Sequence, residues 1–238
     1  MKLQQLFLVA LLFILQACGG GGSSSSDSGN DNNGGDDNNN TSTTVEGRAI
    51  DGPLSGSLVF MDLNGNAIKD DNEPSTTSDS EGYFSISTAN VADTSNAKLV
   101  VIGGTDTATN MVMDNLVLMS DMPTDLTQTI SVTPISSIIA SVDTAEEKAA
   151  VLSALSIDKS LDEFLEMDPW ALAAQGDLEG QRIQQVSQKV AVMITSVQSM
   201  AAVDADLVAV SKDVFAAIAK EADEQNMVDF TSQSMLSD

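Results

Sequence analysis

Residues 19–44 contain no apolar side chain: seven Gly, six Ser, six Asn, four Asp and three Thr. Such a tract has nothing to bury and cannot offset the entropy lost on ordering its backbone. It separates a short apolar leader from everything in the chain that can form a core. As a flexible coil the tract would span about 25–30 Å on average, at roughly 5–6 Å × √n. We therefore expect a disordered tether. With 42% of all residues hydrophobic, the chain from Val45 onward has enough apolar material for a folded core.

Charge narrows the function classes. Ten Lys+Arg stand against thirty-five Asp+Glu, with no His, for a formal charge of −25. Nucleic acid is excluded as a partner, because binding it needs a basic footprint that releases counterions. The few cations are scattered from Lys2 to Lys220 and form no patch for phosphate or an anionic membrane. The lack of His removes the usual general base and the commonest zinc ligand. A single Cys removes internal disulfides and cysteine-ligated clusters. Carboxylates, amides and hydroxyls remain, and with few competing cations they suit a hard ion such as Ca²⁺.

The leader reads as an address. Lys2 supplies a positive start, and Leu6–Leu15 is a ten-residue apolar run, too short for a spanning helix, which needs about 20 residues. A positive start, an apolar run and then small residues make a secretory signal. Leu15-Gln16-Ala17-Cys18 resembles the lipobox of bacterial lipoproteins. That resemblance implies a signal peptide over 1–17, lipidation of Cys18 and membrane attachment through the lipid. Gly19, where inner-membrane lipoproteins tend to carry Asp, points to the outer membrane.

Short β-prone runs begin at Val45. Val45–Ile50, Ser57–Met61, Gly82–Ser87 and Lys98–Ile102 are separated by turn chemistry at Asp51–Gly56 and Ser78–Glu81, and a further strand is expected near Asn115–Met119. Spacing of this kind predicts a small β-sandwich over 45–125.

Within it lies Asp62-Leu-Asn64-Gly-Asn66-Ala-Ile68-Lys-Asp70-Asp-Asn-Glu73, with oxygen-bearing side chains at loop positions 1, 3, 5, 9 and 12. An EF-hand loop uses that spacing, adding a backbone carbonyl at position 7 and a closing bidentate Glu. Alternate residues of a tight loop turn inward, which is how six to eight oxygens gather round one hard cation. The expected Ca²⁺ ligands are Asp62, Asn64, Asn66, Ile68 (carbonyl), Asp70 and Glu73. Ala67 occupies position 6, where Gly is usual, and an L-residue held left-handed there costs roughly 1–2 kcal/mol, so a looser or differently bent loop is expected. With three charged ligands beside Lys69, the loop falls in the weak extracellular class, Kd about 10⁻⁴–10⁻³ M. Its flanks are strand-like, so the ion would clamp a hairpin.

Asp51-Gly52-Pro53-Leu54-x-Gly56, the loop itself, Glu73-Pro74 and Ser78-Asp79-x-x-Gly82-x-Phe84 resemble the repeated modules of bacterial surface proteins. Those are calcium-binding, transthyretin-like β-sandwiches akin to carboxypeptidase regulatory-like domains and adhesin B-type repeats. Gly103-Gly104-Thr105-Asp106 and Val132-Thr133-Pro134-Ile135-Ser136-Ser137 resemble the segment that follows such modules. The resemblance implies a surface location.

Helices are expected beyond residue 130. Thr133-Pro134 is an N-cap followed by Pro at the first helical position, and Ile135, Ile138, Ile139 and Val142 share a face. Thr144-x-x-Glu147 and Ser160-x-x-Glu163 are capping boxes. Ile183, Val186, Val190, Met193, Val197 and Met200 recur at steps of three and four over 178–203, and Asp204 starts another helix carrying Val214, Phe215 and Ile218. Together these predict an antiparallel helical bundle over 130–238. Ser156-Ile157-Asp158-Lys159 matches S-x-x-K but lacks the companion motifs of acyl-transfer enzymes.

The reading is thus an α+β chain: signal peptide (1–17), lipidated Cys18 and tether (18–44), a calcium-binding antiparallel sandwich (45–125) and a helical domain (130–238). Its expected role is non-enzymatic, a structural or adhesive envelope protein that meets an unidentified protein or polysaccharide. The alternative is a carbohydrate-active or peptidoglycan-modifying enzyme, recognisable by a groove with two carboxylates 5–10 Å apart and exposed aromatics.

Overall fold

The computed structural model describes residues 44–201, 205–225 and 227–228. The leader, Cys18 and the tether up to residue 43 lie outside the described residues, as do residues 202–204, where the last expected helix was to start. The described residues belong to one compact unit, and it is α+β, strands first and helices after.

The strands are β1 (Thr44–Ala49), β2 (Leu54–Ser55), β3 (Leu58–Asp62), β4 (Ser75–Thr77) and β5 (Tyr83–Ser87), then β6 (Lys98–Ile102), β7 (Thr105–Asp106), β8 (Met111–Val112), β9 (Val117–Asp121) and β10 (Thr129–Val132). The helices are α1 (Pro134–Ala140), α2 (Ala145–Ala154), α3 (Leu161–Leu165), α4 (Pro169–Ala174), α5 (Leu178–Met200) and α6 (Leu207–Gln225).

Three sheets form, in the orders β10-β1-β5, β4-β3-β6-β9 and β2-β7-β8. All pairings are antiparallel except β1 with β10, where Gly47 stands opposite Ile130 in a parallel register. That strand carries the β part past residue 125, to Val132. It went unforeseen because Thr129–Val132 is short and its partner lies some eighty residues earlier.

The four-stranded sheet is apolar on both faces. Val59, Met61, Leu99, Val101 and Leu118 join Val45, Phe84, Ile86, Ile130 and Val132 in one cluster. The alternate residues Phe60, Val100, Val117 and Met119 join Ile135, Ile138, Leu152, Ile194 and Phe215 in another. Successive strand side chains point to opposite faces, so a strand covered on both sides reads as a continuous apolar run; Leu58–Asp62 and Lys98–Ile102 do so. Helices cover one of those faces.

All seven residues of α1 are buried, Ser136 and Ser137 included. The serines are satisfied by the sheet: Ser136 Oγ donates to Met119 O at 2.7 Å, and Met119 N donates to Ser137 Oγ at 2.8 Å. Both expected capping boxes form, on α2 from Thr144 and on α3 from Ser160. The backbone N–H of Thr144 holds Glu147 below the usual carboxylate range, and the Ser160 hydroxyl does the same for Glu163. In α5, Ile183 and Val190 are buried as the period requires, Ile194 joins them, and Met200 is exposed.

The short helix α4 carries a legible signal, Asp168 as N-cap with Pro169 at the first turn. Asp168 also receives Arg48 from β1, Nη1 to Oδ2 at 2.7 Å. Arg48 donates further to Glu81 O and lies over the Tyr83 ring, 4.6 Å from its centroid. Nearly buried, this guanidinium joins the first strand to the helices.

Candidate metal centre

The six expected ligands run from the last residue of β3 into the loop that leads to β4. Asp62 ends β3, is 1% exposed, and works as a local cap. Its Oδ1 accepts from Asn64 N and Gly65 N, and its Oδ2 accepts from Ala67 N at 2.8 Å. Three backbone N–H groups on one carboxylate wind the chain into a tight turn, with Gly65 at φ 78° and Ala67 at φ 58°. The looser or differently bent loop expected from the lack of Gly is not what forms there: Ala67 takes the left-handed turn itself. Its methyl group is buried in the helix-side cluster, which ties the loop to the core.

Glu73 closes the loop from the other side. It is 5% exposed; Oε1 accepts from Leu63 N at 2.8 Å and Oε2 from Asp70 N at 3.0 Å. Between these ends, Asn64 and Asn66 point their Nδ2 atoms at the same oxygen, Asp70 Oδ2, at 2.7 and 3.1 Å. Their Oδ1 atoms accept from the backbone N–H groups of Asn66 and Ile68. The side chain of Ile68 is exposed. Lys69 Nζ donates to Asp70 O, and Lys212 Nζ reaches from α6 to Gly65 O at 3.1 Å. The lysine on α6 was not legible in the sequence, since 147 residues separate the two.

Among the described residues, no group of three or more His, Cys, Asp or Glu side chains is gathered for a metal ion. The loop instead offers a mixed set, with two amides and Asp70 converging while the Asp62 and Glu73 oxygens bind N–H groups. To turn their oxygens beside Asp70, Asn64 and Asn66 would have to give up the bonds they accept from the Asn66 and Ile68 N–H groups. The residue types are those of a hard-cation loop, but in this structure their oxygens do not share one centre.

The S-x-x-K segment is occupied otherwise. Ser156 is exposed at φ 57°, its carbonyl accepts from Arg182, and Lys159 pairs with Glu179 at 3.3 Å.

A second acidic spot, not foreseen from the sequence, lies at the turn after β1. The Asp51 carboxyl sits beside Asp106 of β7, and a Cβ at Gly52 would overlap Asp106 Oδ1, so only Gly permits the approach. Burial pushes the Asp51 carboxyl up to about 7, and the Asp106 charge pushes the same way. Local spacing could not reveal this pair, because the two residues meet only through the pairing of β2 with β7.

Among the described residues no helix is long and apolar enough to cross a membrane. No protein-family model, curated protein or solved structure matches this chain.

Proposed function

We propose that the chain is a calcium-stabilised envelope module, attached to a bacterial outer membrane by a lipid on Cys18, with a structural or adhesive role. In this reading the strands form a sandwich and the helices a bundle, and together they present a surface away from the bilayer. One observation carries it: Asn64, Asn66 and Asp70 converge between two buried carboxylates at the base of a hairpin. Asp62, Asn64, Asn66, Asp70 and Glu73, with the Ile68 carbonyl, would hold Ca²⁺, and the ion would supply the positive charge that gathers them. Asp62 and Glu73 set the loop's two ends, the first at the end of β3 and the second just before β4. Ion binding therefore fastens the β3–β4 hairpin.

Calorimetry with Ca²⁺ and Mg²⁺ on the chain from residue 44 onward tests the metal. Saturable Ca²⁺ heat and a rise in Tm at millimolar Ca²⁺ are expected, both lost in Asp62→Ala. No heat from the parent protein, or an unchanged response in Asp62→Ala, removes the proposal. Mass spectrometry of the mature protein tests the anchor: an acylated Cys18 at the N-terminus is expected, and a free thiol or an uncut leader contradicts it.

A further inference from the structure

Beside Asp51 the chain holds a groove of about 750 Å³, within the range of about 300–1,000 Å³ usual for small-molecule sites. One bank is the β7–β8 hairpin and the chain after it, and the other is α5 with Trp170 of α4. Apolar side chains dominate: Met111, Met113, Leu116, Trp170 and Val192 all line it. Met111 and Val192 stand on opposite banks at 60% and 65% exposed, so the apolar surface is open. One end is closed by Gln198, whose Nε2 donates to Asn115 O at 2.8 Å and to Ser211 Oγ at 2.9 Å.

The groove's polar chemistry is one-sided. Asp51, Asp106 and Asp114 line it, and neither Lys nor Arg does. The oxygens of Asp106 are served locally, Oδ1 by Ala108 N at 2.8 Å and Oδ2 by the Thr109 hydroxyl at 2.6 Å. Asp51 differs: its Oδ1 is buried and has no hydrogen-bond partner. A buried carboxyl oxygen with no donor is costly. A positive charge held against the other, unenclosed oxygen of the same carboxyl offsets that cost, since hydrogen bonds between ionised partners are about twice as strong as neutral ones.

We propose that this groove binds a small apolar molecule carrying one protonated nitrogen, its N–H directed at Asp51 and its apolar body along Met111, Trp170 and Val192. Anionic ligands are repelled by the three carboxylates, and a neutral ligand leaves Asp51 without a charged partner. The site is separate from the calcium loop and does not depend on it.

Trp170 is the chain's single Trp, so its emission reports on this groove alone. The purified full chain is titrated at about pH 8, where an alkylamine is still protonated, with 4-phenylbutylamine, 4-phenylbutan-1-ol and 4-phenylbutyrate. Saturable change with the amine is expected, at least roughly tenfold tighter than with the alcohol, the size of one charge-assisted hydrogen bond. The carboxylate should bind most weakly. Asp51→Asn should bring the amine down to the alcohol's affinity. Val192→Arg, at a position exposed enough to leave the fold intact, should weaken the amine and improve the carboxylate. No saturable change with the amine, an alcohol bound as tightly, an Asp51→Asn variant that binds like the parent, or amine binding undiminished in Val192→Arg overturns the proposal.

Discussion

Asp62 and Asp51 occupy neighbouring turns of the same β region, yet their surroundings are opposite. Around Asp62, three backbone N–H groups converge on one side chain, and Glu73 collects two more. Around Asp51 there is burial and a second carboxylate, and one oxygen has no donor. The difference lies in the backbone. A loop that turns left-handed at Gly65 and Ala67 aims its N–H groups inward, whereas Pro53, two residues after Asp51, has no N–H to offer. The same residue type therefore holds one site together and strains the other.

Substitutions can break that contrast. Asp62→Ala orphans the buried Ala67 N–H and frees two more that water can reach, and should cost roughly 2–4 kcal/mol of unfolding free energy, measured by denaturant unfolding without metal; a loss under about 1 kcal/mol would mean the loop does not depend on it. For Asp51 the sign is reversed. Its folded-state pKa of about 7 lies above the ordinary 3.8, so its contribution is full below pH 3.8 and is lost as pH rises through 7. The slope approaches about 1.4 kcal/mol per pH unit in that window. Glu147 and Glu163, held below the ordinary range, act in the opposite sense: their contribution is lost as pH falls below about 4.5. Maximum Tm is therefore expected near pH 5, and Asp51→Asn should flatten the fall toward neutral.

The mirrored acid-to-amide change sharpens the comparison. Glu73→Gln should destabilise by about 2 kcal/mol, while Asp51→Asn should stabilise at pH 8, both read by chemical unfolding; equal signs would show that N–H supply is not what separates the sites. Asn64→Asp with Asn66→Asp adds two oxygens and two charges, and should tighten Ca²⁺ about tenfold in calorimetry. The smallest effect belongs to Ala67→Gly. Relief of about 1–2 kcal/mol of left-handed strain is offset by the loss of a buried methyl worth about 0.8 kcal/mol and by glycine's entropy, so Tm should barely move.

Features with short-range causes were legible in the sequence. β1, β3, β5 and β6 follow from β-branched and aromatic runs between turn residues, and α2 and α3 start where their capping boxes lie. The loop's place between two strands was legible for the same reason, but not its left-handed Ala67, because the cost of that conformation argued for a looser turn. The direction of the Asn64 and Asn66 amides was not, because rotating a side chain leaves spacing unchanged. β10 and the Asp51 groove were hidden by distance: Gly47 meets Ile130, and Asp51 shares a groove with Trp170 and Val192. No window along the chain holds both halves of such a pair.

The serines of α1 have a consequence for self-association. β9 is the last strand of its sheet, and an uncovered outer strand offers free N–H and C=O groups to another copy of the same chain. Ser136 and Ser137 take up the carbonyl and the amide of Met119 in the middle of that strand. The first helix thus occupies the middle of that margin, and two hydroxyls take the place that a neighbouring molecule's backbone would need at Met119.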